Sequence, residues 1–284
     1  MEPTNFVGLQ IERSNGNIFI HQKQYIEKLL LKFNMSNANG NSIPIDPHTK
    51  LEKKNVVPEE KIPYREAVGS LMHLAIVSRP DIMFGVSLVS RYLDCYDNTH
   101  WAAVKKILKY LKETKEIGIL YSKMKTNTVE GFSDSDYAAD SYTRRSTTGY
   151  VFMKNGAAIT WATQRQQSIA LSTTEAEFMA ACSATKEALW IKRLLLDISA
   201  YNQDTISINV DNQSAISVIK NMDFHKRCKH IDVKYKFIQE KFQEKEIYVK
   251  YLCTTEQCAD MFTKALARVR FQYLRDKIGV TLNK

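Results

Sequence analysis

Only five cysteines stand among 284 residues, and no two form a Cys-x-x-Cys pair, which excludes a disulfide framework and the common structural zinc sites. Cys95, Cys182, Cys228, Cys253 and Cys258 are odd in number, so a reducing, intracellular setting is expected, cytoplasmic or nuclear. His225, Cys228 and His230 crowd together, but their spacing to Cys253 and Cys258 fits no standard zinc site, and they read as ordinary thiols and surface histidines. No run approaches the roughly 18 apolar residues of a membrane helix. The opening Met1-Glu-Pro-Thr-Asn5 lacks the basic and apolar regions of a secretory leader. Neither secretion nor membrane anchoring is expected, and internal repeats and low-complexity tracts are also lacking.

What is present is a chain with 44% apolar and 10% aromatic residues, enough for one large domain or two ordinary ones. Its 40 basic against 31 acidic residues give a net charge of +9. Such a balance favours a polyanionic partner, nucleic acid ahead of an acidic protein.

Residues 6 to 35 read as strand, hairpin turn, strand and helix. The turn is Ser14-Asn-Gly-Asn17, and the helix, Gln22 to Phe33, is apolar at Ile26, Leu29, Leu30 and Phe33. From Ser36 to Pro63 the prolines mark a long irregular connection. Two helices, Tyr64 to Ser78 and Asp81 to Leu93, are divided at Arg79-Pro80, because proline cannot continue the preceding ladder. A third, Thr99 to Thr114, carries Lys105, Lys106, Lys109 and Lys112 on a face that is either solvated or laid along phosphates. Residues 115 to 128 read as a link containing a short strand.

Beyond that link the pattern becomes a strand from Val129, a Thr147 to Met153 strand, a Lys154-Asn-Gly156 hairpin turn and a strand to Thr163. A helix from about Thr174 to Asp197 follows, opened by Ser172-x-x-Glu175 or Thr174-x-x-Glu177. Then come a strand at Thr205 to Val210, a short helix from Asn212, a helix from His230 to Glu244, a strand at Ile247 to Leu252 and a closing helix begun near Thr255. This order predicts a mixed sheet with helical crossovers.

Carboxylates gather where such a sheet would place a site. Gly131-Phe-Ser-Asp-Ser-Asp-Tyr-Ala-Ala-Asp140 holds three aspartates just past a strand. If the strands ending at Asp134 and Asp211 are parallel neighbours, both acids emerge at one carboxyl edge. Glu177, early in the following helix, and Asp260, in the closing one, can join them. Each also has a plain structural role open to it: Asp211 as an N-cap, Glu177 as the acid of a capping box, Asp260 as a first-turn acid. Grouped carboxylates repel one another and need a compensating cation. An all-oxygen donor set favours Mg2+ or Mn2+, and two such ions about 4 Å apart serve phosphodiester cleavage.

The motifs Ser133-Asp-Ser-Asp136, Ala176-Glu-Phe-Met-Ala-Ala181, Val210-Asp-Asn-Gln213 and Gln257-Cys-Ala-Asp260 resemble the four acidic motifs of the RNase H fold. Arg144-Arg-Ser-Thr-Thr-Gly149, Leu171-Ser-Thr-Thr-Glu-Ala-Glu177, Lys229-His-Ile-Asp-Val-Lys-Tyr235 and Ala259-Asp-Met-Phe-Thr-Lys264 resemble its version in copia-type retrotransposon Pol polyproteins, over about residues 128 to 267. Upstream, Phe6-Val-Gly-Leu-Gln-Ile11, Tyr25-Ile-Glu-Lys-Leu-Leu30, Tyr64-Arg-Glu-Ala-Val-Gly-Ser-Leu71 and Arg79-Pro-Asp-Ile82 resemble the end of the reverse transcriptase palm with its thumb and connection.

The resemblance implies two parts: residues 1–127, a small, mostly helical thumb and connection region, and residues 128–284, an α/β RNase H-like domain with a five-stranded mixed sheet and helices on both faces. It implies hydrolysis of the RNA strand of an RNA/DNA hybrid with two Mg2+ or Mn2+ ions on Asp134, Glu177, Asp211 and Asp260. Asp136 is the alternative to Asp134, and Glu175 the rival of Glu177. Two residues apart on a helix, Glu175 and Glu177 cannot both face one site. Asp140 reads as turn chemistry. Arg144 and Arg145 are implied phosphate contacts, and Asn212 and Gln213 contacts to the hybrid's sugar edge, where the 2′-OH distinguishes RNA from DNA. The polymerase's Tyr-x-Asp-Asp turn and the upstream palm and fingers are absent, so no polymerisation by this chain alone is expected. The mobile His of many RNase H enzymes is also absent from Leu252 to Ala259, so either product release or proton transfer is slower or His225 or His230 substitutes. Two alternatives stand beside this reading: a non-catalytic nucleic-acid-binding remnant, and an RNase H-like nuclease or transposase acting on DNA.

Overall fold

A computed structural model describes residues 3–53, 62–198, 205–221 and 229–283. His225 and Cys228, with the side chain of His230, lie outside what is described, so the zinc question falls there too. The chain divides into two units. One comprises residues 1–125, 155–158 and 264–284, the other residues 126–154 and 159–263.

The first unit holds an antiparallel sheet in the order β1-β2-β3-β4-β10, formed by β1 (Asn5–Phe6), β2 (Leu9–Ser14), β3 (Asn17–His21), β4 (Ile117–Tyr121) and β10 (Val280–Leu282). Asn15 and Gly16 turn β2 into β3 with φ of 52° and 80°, the left-handed pair that a two-residue hairpin requires. Its helices are α1 (Lys23–Lys32), α2 (Tyr64–Val77), α3 (Met83–Ser90), α4 (Asn98–Glu113) and α8 (Arg268–Lys277). The Arg79-Pro80 break is a buried polar knot. Arg79 binds both carboxylate oxygens of Asp81, at 2.9 and 2.7 Å, and donates to Thr114 O at 3.0 Å, while the Tyr110 hydroxyl reaches Asp81 Oδ2 at 2.7 Å. The α4 lysine row is partly consumed internally: Lys106 pairs with Asp46 at 3.1 Å and Lys112 donates to Ala38 O at 2.5 Å, tying down the irregular connection.

Residues 264–284 group with the first unit. The reason is a strand too short to show in the pattern. β10 pairs antiparallel with β4, Thr281 opposite Gly118, and α8 turns Phe271 edge-on to Tyr110 at 5.6 Å.

The second unit is a mixed sheet in the order β7-β6-β5-β8-β9, from β5 (Glu130–Asp136), β6 (Thr147–Lys154), β7 (Ala157–Arg165), β8 (Ile206–Val210) and β9 (Ile247–Tyr251). β5 runs antiparallel to β6 and parallel to β8, which is parallel to β9. Helices α5 (Thr173–Asp197), α6 (Gln213–Lys220) and α7 (Lys229–Gln243) supply the crossovers. Phe178, Ala181, Ala184, Ala188, Ile191 and Leu195 make one apolar face of α5, buried with Phe152, Ile208, Val210 and Val249 of the sheet. The alanines let the helix lie close, and each larger side chain so buried contributes roughly 1.5–3 kcal/mol. The opposite face of the sheet shows through the register: Asp134 faces Gly149 and Phe132 faces Val151 across β5 and β6, so these four share one side. A 3-10 turn, Cys258–Phe262, covers that side. A Cβ on Gly149 would lie 2.8 Å from Phe262 Cβ and 2.7 Å from Thr263 Cγ2, so only glycine admits this approach.

Candidate active site

The parallel pairing of β5 with β8 sets Phe132 opposite Asn209. Two residues further on stand Asp134, within β5, and Asp211, just past the end of β8, which therefore emerge together at the carboxyl edge. β5 continues to Asp136 rather than ending near Asp134, so Asp134 sits within a hydrogen-bonded strand and has the firmer backbone. α5 begins at an N-cap on Ser172, whose hydroxyl accepts from Glu175 N at 3.1 Å. Glu175 reaches back to Leu171 N at 2.8 Å and is spent on capping. Glu177, two residues on and buried, accepts from Ser135 N at 3.1 Å, so the same acid docks the helix on β5 and faces the strand end.

Asp134, Glu177 and Asp211 each bring one carboxylate oxygen within 4.8 Å of the other two. Asp134 and Glu177 are only 3% and 6% exposed; Asp211 is half-buried. Three carboxylates this close and this dry demand positive charge. The donor set, all carboxylate oxygen from three separate elements, fits a hard divalent cation of the Mg2+ type and offers nothing to a soft one.

Asp260 is buried on the Cys258–Phe262 3-10 turn, not on the long helix expected there, and does not belong to that close group of three. Asp211 is not the cap of α6; that role falls to Asn212, whose side chain accepts from Ala215 N at 2.9 Å. Gln213 opens α6 and is exposed. Asp136 closes β5 outside the group. Asp140 is turn chemistry, accepting from Tyr142 N and Thr143 N and pairing with Arg165 at 3.2 Å. Arg144 is exposed with φ of 55°, Arg145 half-buried in the same turn.

Several polar residues around the acids were not singled out from the sequence. The buried Gln166 amide donates to Ala176 O at 2.9 Å, Thr148 Oγ1 at 3.0 Å and Ser135 Oγ at 3.3 Å, joining the elements that carry Asp134 and Glu177. Gln257 Nε2 donates to Ser133 O at 3.0 Å. The hydroxyls of Thr254 and Thr263 bind Asp211 and Asp134. Thr263 lay inside a recognised phrase, Ala259-Asp-Met-Phe-Thr-Lys264, yet a threonine carries no signal of its own until its partner is known.

The mixed sheet and its carboxyl-edge acids define the RNase H-like class of α/β domain. No family model matches the sequence. Over 98% of its length the chain is 39% identical to the "Retrovirus-related Pol polyprotein from transposon TNT 1-94" of Nicotiana tabacum, covering 21% of that protein. It is 34% identical over 97% of its length to the corresponding polyprotein from transposon RE2 of Arabidopsis thaliana, covering 19% of it. Among solved structures, LC11-RNase H1 isolated from compost superposes on 49% of this chain and 94% of its own with a TM-score of 0.38 and 13% identity. Over nearly its whole length the chain is similar to retrovirus-related Pol polyproteins of transposons, and it spans about a fifth of the length of those relatives. Among the described residues no helix is long and apolar enough to cross a membrane.

Proposed function

We propose that the second unit hydrolyses the RNA strand of RNA/DNA hybrids, with Asp134, Glu177, Asp211 and Asp260 as the acids that hold two Mg2+ or Mn2+ ions. The observation that carries this reading is the convergence of Asp134, Glu177 and Asp211, from three stretches distant in sequence, to within 4.8 Å at one sheet edge. When bound there, divalent cations supply a nucleophile at neutral pH and charge for the leaving oxygen. The chain's own groups do the rest. Glu177 and Asp134 are fixed by Ser135 N and Thr263, so the ligand geometry is set before substrate arrives. Asp211, the more open acid, stands on the solvent side. Arg144 and Arg145 offer charge to a phosphate backbone, and Asn212 and Gln213 lie at the start of α6, next to Asp211, suited to a 2′-OH. Residues 1–127 are assigned to the end of the reverse transcriptase palm with its thumb and connection.

The test is incubation of the purified chain with labelled RNA/DNA hybrid, duplex DNA or single-stranded RNA, with Mg2+ or EDTA, beside Asp211→Asn. Mg2+-dependent cutting of the hybrid alone, lost in the variant, is expected. Cutting that persists in Asp211→Asn removes the metal-site assignment; binding of the hybrid without cutting identifies a remnant, and cutting of duplex DNA a transposase-like nuclease.

A further inference from the structure

The segment between β9 and α8 adds nothing to the close group of three acids, yet its side chains reach the strands that bear two of them. The Thr254 hydroxyl donates to Asp211 Oδ2 at 2.8 Å. Gln257 bonds Ser133 O, next to Asp134, and approaches Asn209 O, two residues before Asp211, at 3.4 Å. The Thr263 hydroxyl contacts Asp134 Oδ2 at 2.5 Å and Asp260 O at 3.1 Å. One hydroxyl has one proton, and the nearer, charged oxygen is the stronger acceptor. Thr263 is fully buried. Its backbone is pinned from the preceding residue, because Thr163 Oγ1 donates to Phe262 O at 2.7 Å, and its methyl group sits over Gly149. β-branching then leaves its hydroxyl little choice of direction.

A carboxylate turns broadly about its last torsion, so an Asp in a metal site needs a partner that fixes its plane. We infer that Thr263 is a positioning residue, its hydroxyl setting the rotation of the Asp134 carboxylate for a divalent cation, an inference that rests on the metal-binding reading of Asp134, Glu177 and Asp211. Outer partners of this kind are worth about 10- to 100-fold in metal affinity or activity.

The experiment is Mn2+ titration of the full chain, followed by the electron paramagnetic resonance signal of the free ion, on wild type, Thr263→Val, Thr263→Ser and Asp134→Asn, with circular dichroism to confirm folding. Valine keeps the shape and removes the hydroxyl; serine keeps the hydroxyl. Valine is expected to weaken Mn2+ binding by about 10- to 100-fold and to raise the Mg2+ needed for half-maximal cutting by a similar factor, with serine near wild type. Wild-type affinity in valine, with affinity lost in Asp134→Asn, overturns the role of Thr263 and leaves the site reading intact. Equal affinity in wild type and Asp134→Asn overturns the site reading and the inference with it. If valine does not fold, serine decides, because a folded serine variant with weakened binding shows that methyl packing, not the hydroxyl, matters.

Discussion

Replacing Asp211 by asparagine makes the metal-free protein more stable while abolishing its response to Mg2+. The substitution is conservative where it counts, since an asparagine oxygen can still accept from the Thr254 hydroxyl and Asn212, not Asp211, caps α6. What is lost is charge. At the 4.8 Å limit of the acid group, two unit charges in an effective dielectric of 20 repel by about 3.5 kcal/mol. Asp211 faces two such partners, giving a ceiling of about 7 kcal/mol, which its half-exposed position and salt reduce to roughly 1–2 kcal/mol. For a unit of this size that corresponds to a rise in melting temperature of about 2–8 °C. Wild type in turn gains about 2.7 kcal/mol at a hundredfold excess of ligand over Kd, and the variant gains little.

The two units call for a probe confined to one. Trp161 and Trp190 lie in the second unit and Trp101 in the first, so in a Trp101→Phe background fluorescence follows the second unit's melting alone. Scans of both proteins in EDTA and in Mg2+ complete the comparison. A variant that melts below wild type in EDTA, yet keeps the full Mg2+ increment, would falsify the claim that Asp211 is a repelled ligand awaiting a cation.

Glu177→Gln abolishes hybrid cutting, whereas Glu175→Gln retains it and costs about 0.5–1 kcal/mol from a weakened helix start; paired activity and urea-denaturation measurements separate the two. Gly149→Ala drives a methyl group to within 2.7–2.8 Å of Thr263 and Phe262 and should cost about 1–3 kcal/mol by overpacking, with Mn2+ affinity falling as the turn is displaced. In the first unit, burial pushes the Asp81 carboxyl up, but the Arg79 guanidinium beside it and the Tyr110 hydroxyl outweigh burial and hold it below its ordinary range. A depressed folded-state value means that its stabilisation is fully present above about pH 4 and drains away as pH falls further. Asp81→Asn leaves the buried Arg79 uncompensated, costs about 3–5 kcal/mol and removes this acid-induced loss, as urea melts between neutral pH and pH 3 will show.

How far the site was legible depends on what kind of contact sets each acid. Asp134 and Asp211 could be read because strand periodicity and the parallel crossover fix which residues leave the sheet edge; the register Phe132 to Asn209 then brings them together without further information. Glu177 is chosen over Glu175 by its place in the acidic motif, with two positions on one helix excluding both; the structure has Ser172 accepting from Glu175 N and Ser135 N meeting Glu177. Asp260 was harder. Its segment was expected to be helical from Thr255, and it folds instead into 3-10 turns at Thr254–Glu256 and Cys258–Phe262, held by Gln257 and Thr263 reaching a strand distant in sequence and by Thr163 of β7 donating to Phe262 O. Local propensity carries no record of those partners. The strand β10 was missed for the same reason, as three residues gain their identity only by pairing with β4. Gly149 shows how such placement is encoded after all: the absent side chain opposite Asp134 is the space through which the Cys258–Phe262 turn approaches. The sequence thus specifies the position of Asp260 partly by what it withholds on a neighbouring strand, and an alanine at that one position tests whether the withheld atom matters.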